Sequence, residues 1–276
     1  MKTRVLSAIV AIALLLGVVY LGKTAIGIAV FLLSIGALYE FYRALEKIGF
    51  KPVYAAGFIS CLTLILITFK DDIPFKSYEE SGKLPVAIIA AGMFLLMTLF
   101  FCLLIFSGGK YTVKDVSGTL FGMAYIVFMF SFVILTRSMP EGHLYIWIIF
   151  IGAWATDTFA YFTGIAIGKT KILPKVSPKK SLEGCIGGVA GCIAVMAIFG
   201  WAFRETLNVP VYHFAVLGAI CGVISQIGDW AASAVKRAAN IKDYGNIMPG
   251  HGGVLDRVDS LLFVAPSVYF YISLFF

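Results

Sequence analysis

Residues 211–228 read VYHFAVLGAICGVISQIG, an almost unbroken apolar run, and Asp229 follows them directly. A run of about 18 or more apolar residues is typical of a transmembrane helix. Similar runs recur along the 276-residue chain, of which 60% is hydrophobic and 13% charged. A soluble domain carries about 25% charged residues. The composition therefore excludes a water-soluble core of this size and predicts an all-α, polytopic integral membrane protein.

The apolar runs predict nine membrane-spanning helices. We expect them at about residues 5–21, 25–42, 53–69, 84–106, 117–136, 144–167, 185–203, 212–233 and 258–276. The first run follows Lys2 and Arg4 and resembles a secretory signal, but eight further spans follow, so we interpret it as an uncleaved helix. The seventh is rich in glycine, which allows close helix approach in lipid.

We divide the chain into two parts. Residues 1–143 form N-terminal transmembrane helices, and residues 144–276 form a C-terminal catalytic region with polar loops at 168–184 and 234–257. The division depends on polar content, because the residues that interrupt the apolar pattern lie mainly in the second part.

Basic residues are distributed unequally between the two sides of the predicted membrane. Sixteen of the 22 Lys and Arg lie before the first span or in the loops after spans 2, 4, 6 and 8, and six lie on the opposite side. Cytoplasmic loops carry an excess of Lys and Arg. We therefore expect both polar loops on the cytoplasmic face of the cell inner membrane. The net charge of +7 then reflects topology, lipid headgroups and phosphate substrates, and not nucleic acid.

Four aspartates in these cytoplasmic segments are candidate metal ligands: Asp157, Asp229, Asp256 and Asp259. A charge at the centre of a membrane helix costs at least about 2.5–3.5 kcal/mol on insertion scales, so such a residue faces a polar cavity or a partner. Carboxylates at a membrane–water boundary suit Mg²⁺, which takes one or two of them and completes its shell with water and substrate phosphates. We expect Asp229 and Asp256 to bind this metal.

The alternative interpretation is that these acids only orient helix ends by pairing with Lys236, Arg237 and Arg257. For Asp259, which begins a helix, the helix dipole explains an acidic residue equally well. Asp157 lies within a predicted span, where an ionisable residue indicates function, and Lys179 or Lys180 is its expected partner.

Two further motifs suit phosphate. Residues 249–253 read PGHGG before the last helix, and consecutive glycines turn backbone N–H groups toward an anion. We expect Gly252 and Gly253 to bind phosphate and His251 to contact phosphate or transfer a proton. An ordinary Pro-Gly turn with a surface histidine is the alternative. There is no Walker A motif.

The second motif is Lys179-Lys180, which lies between Ser177-Pro and Ser181-Leu-Glu-Gly, a helix-start pattern. We expect these two lysines to contact a triphosphate as the seventh span begins. The other lysines of the loop, Lys169, Lys171 and Lys175, are better explained by topology and attraction to anionic lipid.

These residues together resemble the signature of the CDP-diacylglycerol synthase (phosphatidate cytidylyltransferase) family. Fourteen positions over 27 residues carry the resemblance: Ser233-x-x-Lys236-Arg237-x4-Lys242-Asp243-x-Gly245-x3-Pro249-Gly250-His251-Gly252-Gly253-x-x-Asp256-Arg257-x-Asp259. Residues 157–161 and 177–184 also resemble family segments, so the match covers roughly residues 150–260. Trp230 and Ser181-Leu182 depart from the usual family residues, but neither position carries chemistry.

The resemblance implies that CTP and phosphatidate react to give CDP-diacylglycerol and pyrophosphate, with Mg²⁺, in a homodimer. It implies that Asp229 and Asp256 are the metal carboxylates, with a monovalent cation such as K⁺ as a further candidate. The residues predicted to be catalytic are Asp229, Asp256, Lys236, Arg237 and His251. Those predicted to contact substrate are Ser177, Lys179, Lys180, Ser233, Lys242, Gly252, Gly253 and Arg257.

Rival functions differ in reaction or class. A polyprenol or phytol kinase, or a synthase for archaeal ether lipids, also uses CTP, but the full PGHGG-x-x-DRxD pattern favours the diacylglycerol enzyme. A transporter of phosphorylated solutes also buries acids and bases. Transporters of that kind usually show inverted repeats, and none is visible in the sequence.

Overall fold

The computed structural model describes residues 2–69, 83–246 and 252–276. Within these ranges the secondary structure is helical, apart from one isolated antiparallel β-bridge between Lys171 and Ser181. The helices are α1 (Lys2–Leu21), α2 (Lys23–Lys47), α3 (Tyr54–Thr68), α4 (Lys83–Phe106), α5 (Val113–Gly122), a π-helical turn (Met123–Phe128), α6 (Met129–Arg137), α7 (Gly142–Ile167), α8 (Leu182–Ala202), α9 (Arg204–Leu207), α10 (Val211–Ala238) and α11 (Leu255–Phe275). The predicted all-α class is confirmed.

Six helical stretches in the described part of the chain are long and apolar enough to cross a membrane. They are Lys23–Lys47, Val113–Arg137, Gly142–Ile167, Leu182–Ala202, Val211–Ala238 and Leu255–Phe275. Three shorter apolar stretches, Val10–Leu21, Tyr54–Thr68 and Ala90–Phe106, fall where spans 1, 3 and 4 were expected. The chain is thus an integral membrane protein, while nine crossings stay a prediction.

Helix α8 packs closely on α7 through its glycines. A Cβ at Gly188 would lie 3.0 Å from the Thr156 carbonyl oxygen, and one at Gly184 would lie 2.9 Å from the Ala160 carbonyl oxygen. These distances are shorter than ordinary van der Waals contact, so the two helices approach as closely as they do because the side chains are absent. The close helix approach expected from the glycine-rich seventh span is therefore confirmed.

The hydrophobic core continues across the predicted boundary at residue 143. One cluster of buried side chains runs from Ile26 in α2, through Phe130 in α6, to Ile272 in α11. In the N-terminal part, the Tyr42 hydroxyl donates a hydrogen bond of 2.9 Å to the Thr119 carbonyl oxygen and so joins α2 to α5. The helices of residues 144–276 therefore pack directly on the N-terminal ones.

Candidate active site

The first component of the site is an ion pair at Asp229, which lies within α10 and nine residues before its last residue. The Lys180 ammonium contacts the Asp229 carboxylate, and both side chains are about a quarter exposed. Ser233, one turn further along α10, donates a hydrogen bond of 3.4 Å to the other Asp229 oxygen. The Lys180 ammonium also lies 5.9 Å from the centre of the Trp230 ring. Asp229 therefore has the partner that its depth in an apolar helix requires.

The second component is Asp256 in the first turn of α11. Its Oδ1 accepts a hydrogen bond of 2.6 Å from the Lys236 ammonium on the last turn of α10, and the Asp256 side chain is only 5% exposed. Its Oδ2 accepts from the backbone N–H groups of Tyr244 at 2.8 Å and Gly253 at 3.1 Å. Asp256 thus joins α10, the segment that follows it and the start of α11.

Asp157 of α7 and the buried Asp259 of α11 complete the cluster. Lys180 interacts electrostatically with Asp157 and Asp259, and Asp259 interacts with Lys236, Asp157 and Asp256. Burial lowers the pKa of Lys180, while the neighbouring Asp157 and Asp259 carboxylates oppose that shift. In this cluster four acidic side chains lie near two lysines.

The donor chemistry of this cluster fits a divalent cation. Among the described residues no three Asp, Glu, His or Cys side chains gather closely enough to hold a metal by themselves. Mg²⁺ needs only one or two protein carboxylates, because water and substrate phosphates supply its other ligands. Asp229 and Asp256 each hold a lysine ammonium, so both already bind a cation. These two residues are suitable Mg²⁺ ligands, and the metal itself stays a prediction.

The start of α11 is capped by an acid from the N-terminal part of the chain. Glu40 lies in the middle of α2 and is 2% exposed. Its carboxylate accepts hydrogen bonds from the N–H groups of Val254 at 3.0 Å and Leu255 at 2.9 Å. A carboxylate at a helix N-terminus satisfies N–H groups that have no partner within the helix and interacts favourably with the helix dipole. Glu40 therefore fixes the end of the helix that carries Asp256 and Asp259.

This cap changes the interpretation of the glycine motif. A Cβ at Gly245 or Gly253 would overlap the Glu40 carboxylate, so both positions need glycine for close packing. Gly252 has φ +85°, a left-handed conformation that favours glycine. The N–H of Gly253 donates to Asp256, and those of Val254 and Leu255 donate to Glu40. The Gly253 N–H, which was expected to bind phosphate, thus donates to a carboxylate in this structure, and its contact with phosphate stays a prediction.

Sequence reasoning missed Glu40. It lies near the end of the predicted span 25–42, and an ionisable residue inside a predicted membrane span indicates function. The same rule drew attention to Asp157. The sequence does not indicate that Val254 and Leu255 are the partners of Glu40, because they lie 214 and 215 positions away.

The loop before α8 is built around its expected helix start. The Ser181 hydroxyl accepts a hydrogen bond of 3.2 Å from the Gly184 N–H and caps the helix. Glu183 in the first turn accepts from the N–H groups of Lys169 at 3.0 Å and Thr170 at 3.2 Å. The predicted helix-start pattern is confirmed, and the closed loop positions Lys180 against Asp229.

Other predicted site residues lie away from the carboxylates. Arg237 is exposed and donates to the carbonyl oxygens of Val176 at 3.2 Å and Ile241 at 3.4 Å, so it joins the two polar loops. Lys179 and Lys242 are exposed, and of the adjacent lysine pair only Lys180 contacts Asp229.

Three further predicted residues occupy separate surroundings. Ser177 forms a turn in which its carbonyl oxygen accepts from the Lys180 N–H at 3.2 Å. Arg257 lines an apolar cavity of about 470 Å³ together with residues such as Trp154 and Val258. His251 lies outside the described residues, so its predicted role is untested.

Comparisons with known proteins match nearly the whole chain. The model of the "Cytidylyltransferase family" matches residues 2–275. The chain belongs to the cytidylyltransferase family. A phosphatidate cytidylyltransferase of Bacillus subtilis (strain 168) is 33% identical over 276 residues, which is 100% of this chain and 98% of the relative.

Other cytidylyltransferases agree with this match. Proteins called phosphatidate cytidylyltransferase in Staphylococcus haemolyticus (strain JCSC1435) and Staphylococcus aureus (strain COL) are 32% and 33% identical over 266 residues, covering 96% of each chain. The resemblance drawn from the motifs is confirmed. It also extends beyond residues 150–260 to the N-terminal helices, which include Glu40.

Proposed function

We propose that this protein is a phosphatidate cytidylyltransferase that converts CTP and phosphatidate into CDP-diacylglycerol and pyrophosphate. The observation that carries the proposal is the cluster of four aspartates and two lysines. It joins Asp157 and Asp229, within α7 and α10, to the loop that carries Lys180 and to the start of α11, at the boundary between apolar helices and polar loops. A lipid substrate and a water-soluble nucleotide meet at such a boundary. The full-length relatives that carry this name support the same reaction.

The reaction suits residues that neutralise charge. The phosphate of phosphatidate is already an anion, so its oxygen attacks the α-phosphorus of CTP without a strong general base. A P–O bond forms there as the bond to the departing pyrophosphate breaks. The barrier is lowered by in-line placement and by stabilisation of charge on the phosphoryl oxygens. Lys180 and Lys236 carry the positive charges of the cluster that can serve these oxygens.

Mg²⁺ belongs to the same proposal, with Asp229 and Asp256 as its protein ligands. When bound, the metal would neutralise charge on the triphosphate of CTP. Each of these carboxylates pairs with a lysine in this structure, and Lys180 and Lys236 would be available to contact substrate phosphate when the metal is bound. Asp259 and Asp157 strengthen the negative potential of the cluster. A monovalent cation such as K⁺ stays a prediction.

The remaining features of the proposal concern the membrane and the assembly. We propose nine crossings with both polar loops in the cytoplasm, where CTP is available. The distribution of basic residues, sixteen on that side and six on the other, supports this orientation. The homodimer implied by the family resemblance is also retained as a prediction.

A single assay tests the reaction. The purified protein in detergent is incubated with phosphatidate, Mg²⁺ and CTP labelled at the α-phosphate. We expect labelled CDP-diacylglycerol and an equal amount of pyrophosphate. A lipid kinase would instead release labelled CDP and leave the lipid unlabelled, and that result would overturn the proposal. Heat-denatured protein controls for uncatalysed exchange.

A further inference from the structure

Tyr125 is a buried residue with no assigned role. Its side chain is 6% exposed, and within the described part of the chain its hydroxyl has no hydrogen-bond partner. A buried hydroxyl that loses its bonds to water without gaining others destabilises the folded protein. Phenylalanine would fill the same space without that cost. The unpaired hydroxyl therefore needs an explanation beyond packing.

The position of the Tyr125 hydroxyl suggests an explanation. Tyr125 interacts electrostatically with Asp259 and Asp256, the two acids of α11 in the candidate active site. Its ring packs edge-on against Phe263 of α11, with 6.0 Å between ring centres, and against Phe41 of α2, with 5.5 Å. These aromatic contacts hold the ring in place against α11, one helical turn from Asp259.

The local backbone is unusual at the same point. Tyr125 lies in the π-helical turn Met123–Phe128, which interrupts the otherwise α-helical stretch Val113–Arg137. Such turns are rare and occur frequently at functional sites. The turn changes the direction in which the following side chains leave the helix. This irregularity coincides with the unpaired hydroxyl beside the acids.

We infer that the Tyr125 hydroxyl donates a hydrogen bond to a phosphate oxygen of bound substrate. The inference rests on the proposed function, which brings phosphate to this cluster. Carboxylates only accept hydrogen bonds when ionised, whereas a phenol also donates one. Phosphate oxygens are strong acceptors, and both CTP and phosphatidate supply them. Tyr125 is thus a substrate-contacting residue supplied by the N-terminal part of the chain.

The Tyr125→Phe variant tests this inference, because it removes only the hydroxyl. We expect an unchanged or raised Tm in the absence of substrate and a fall in kcat/KM of about tenfold or more. Tyr42→Phe is the matched control. The Tyr42 hydroxyl is already bonded to the Thr119 carbonyl oxygen, so that variant should show a lower Tm and retain kcat/KM.

Measurements with each ligand separately identify which substrate phosphate the Tyr125 hydroxyl contacts. The Tm of wild type and Tyr125→Phe is measured with CTP alone and with phosphatidate in detergent micelles. A stabilising shift that is reduced in the variant for one ligand assigns the contact to that ligand. Unchanged kcat/KM and unchanged ligand shifts in Tyr125→Phe would overturn the inference, as would a loss of Tm like that of the control. Failure of the proposed function is distinguishable, since wild type would then form no CDP-diacylglycerol.

Discussion

Glu40 of α2 and Leu255 of α11 are joined by a hydrogen bond of 2.9 Å between the Glu40 carboxylate and the Leu255 backbone N–H, across 215 residues of sequence. The second oxygen of Glu40 accepts from the Val254 N–H at 3.0 Å. Asp256 follows Leu255 directly in the sequence. The position of a predicted catalytic carboxylate therefore depends on a buried acid in the N-terminal part.

Glu40→Gln should weaken both the fold and the activity. A glutamine amide accepts at its oxygen but presents its NH₂ group to the second N–H, so one of the two hydrogen bonds is lost. Hydrogen bonds to charged groups contribute about 1.5–3 kcal/mol, so we expect a lower Tm and a kcat/KM reduced by about tenfold or more. Thermal unfolding and steady-state kinetics measure these two effects. Glu46→Gln, at an exposed position on the same helix, should leave both close to wild type.

Asp229→Asn and Asp256→Asn should each abolish turnover while the protein still inserts and purifies. A neutral amide holds Mg²⁺ poorly, and in both variants a lysine loses its charged partner. Asp259→Asn should reduce the rate less. Glu141→Gln, at an exposed position before α7, provides the control.

The metal itself is tested by removal. Treatment with EDTA should stop the wild-type reaction, and added Mg²⁺ should restore it. Activity close to wild type in either Asp229→Asn or Asp256→Asn at saturating Mg²⁺ would show that the residue is no metal ligand.

The two adjacent lysines should differ in effect. Lys180 contacts Asp229, whereas Lys179 is exposed and its carbonyl oxygen accepts from the Lys171 ammonium at 3.3 Å. We expect Lys180→Ala to lower kcat/KM by about tenfold or more and Lys179→Ala to change it little. Steady-state kinetics of both variants test this difference. Equal losses of kcat/KM would contradict the assignment of Lys180, and not Lys179, to the site.

Lys180 also predicts a pH dependence. Burial lowers the pKa of its ammonium below that of an ordinary lysine, so its positive charge is lost at a lower pH than usual. If this charge serves the substrate phosphates, activity should fall on the alkaline side of the pH profile. Lys180→Arg should move that fall to higher pH, because a guanidinium stays charged. A variant profile that coincides with the wild-type profile would assign the alkaline fall to another group.

Labelling in intact cells tests the proposed orientation. Single cysteines at positions 79 and 175 are introduced after the five native cysteines are replaced. A membrane-impermeant thiol reagent should label position 79 and spare 175, because residue 175 lies in the polar loop proposed to be cytoplasmic. The reverse pattern would place the candidate site on the side without CTP. Labelling of both positions in permeabilised cells is the control for accessibility.

The sequence predicted the helices and much of the site because their signals are local. Apolar runs mark the helices, and Asp157, Asp229, Asp256 and Asp259 interrupt those runs where they are costly. In the structure Lys180 links Asp229 to Asp157 and Asp259, and Lys236 links Asp256 to Asp259, while the metal role of these acids stays a prediction. The Ser181 cap was also visible, since its hydrogen bond spans only three residues.

The features that escaped prediction depend on distant contacts. The Tyr125 ring packs on Phe263, and the Glu40 cap joins α2 to α11. No local pattern predicts the π-helical turn, because its sequence MAYIVF is compatible with an ordinary α-helix. Arg237 was assigned to phosphate from its motif position, but the structure has it bonded to the Val176 and Ile241 carbonyl oxygens. The predicted contact of Arg237 with phosphate stays a prediction.

The Glu40 cap also sets an order of events during biosynthesis. A ribosome makes Glu40 more than two hundred residues before the N–H groups that it accepts from. Until α11 is inserted, the nascent chain carries an unsatisfied acid in an apolar helix, which is costly in lipid. The last helix satisfies that acid and, in the same step, delivers Asp256 and Asp259. A chain that ends before α11 therefore lacks both the partner of Glu40 and two acids of the candidate site.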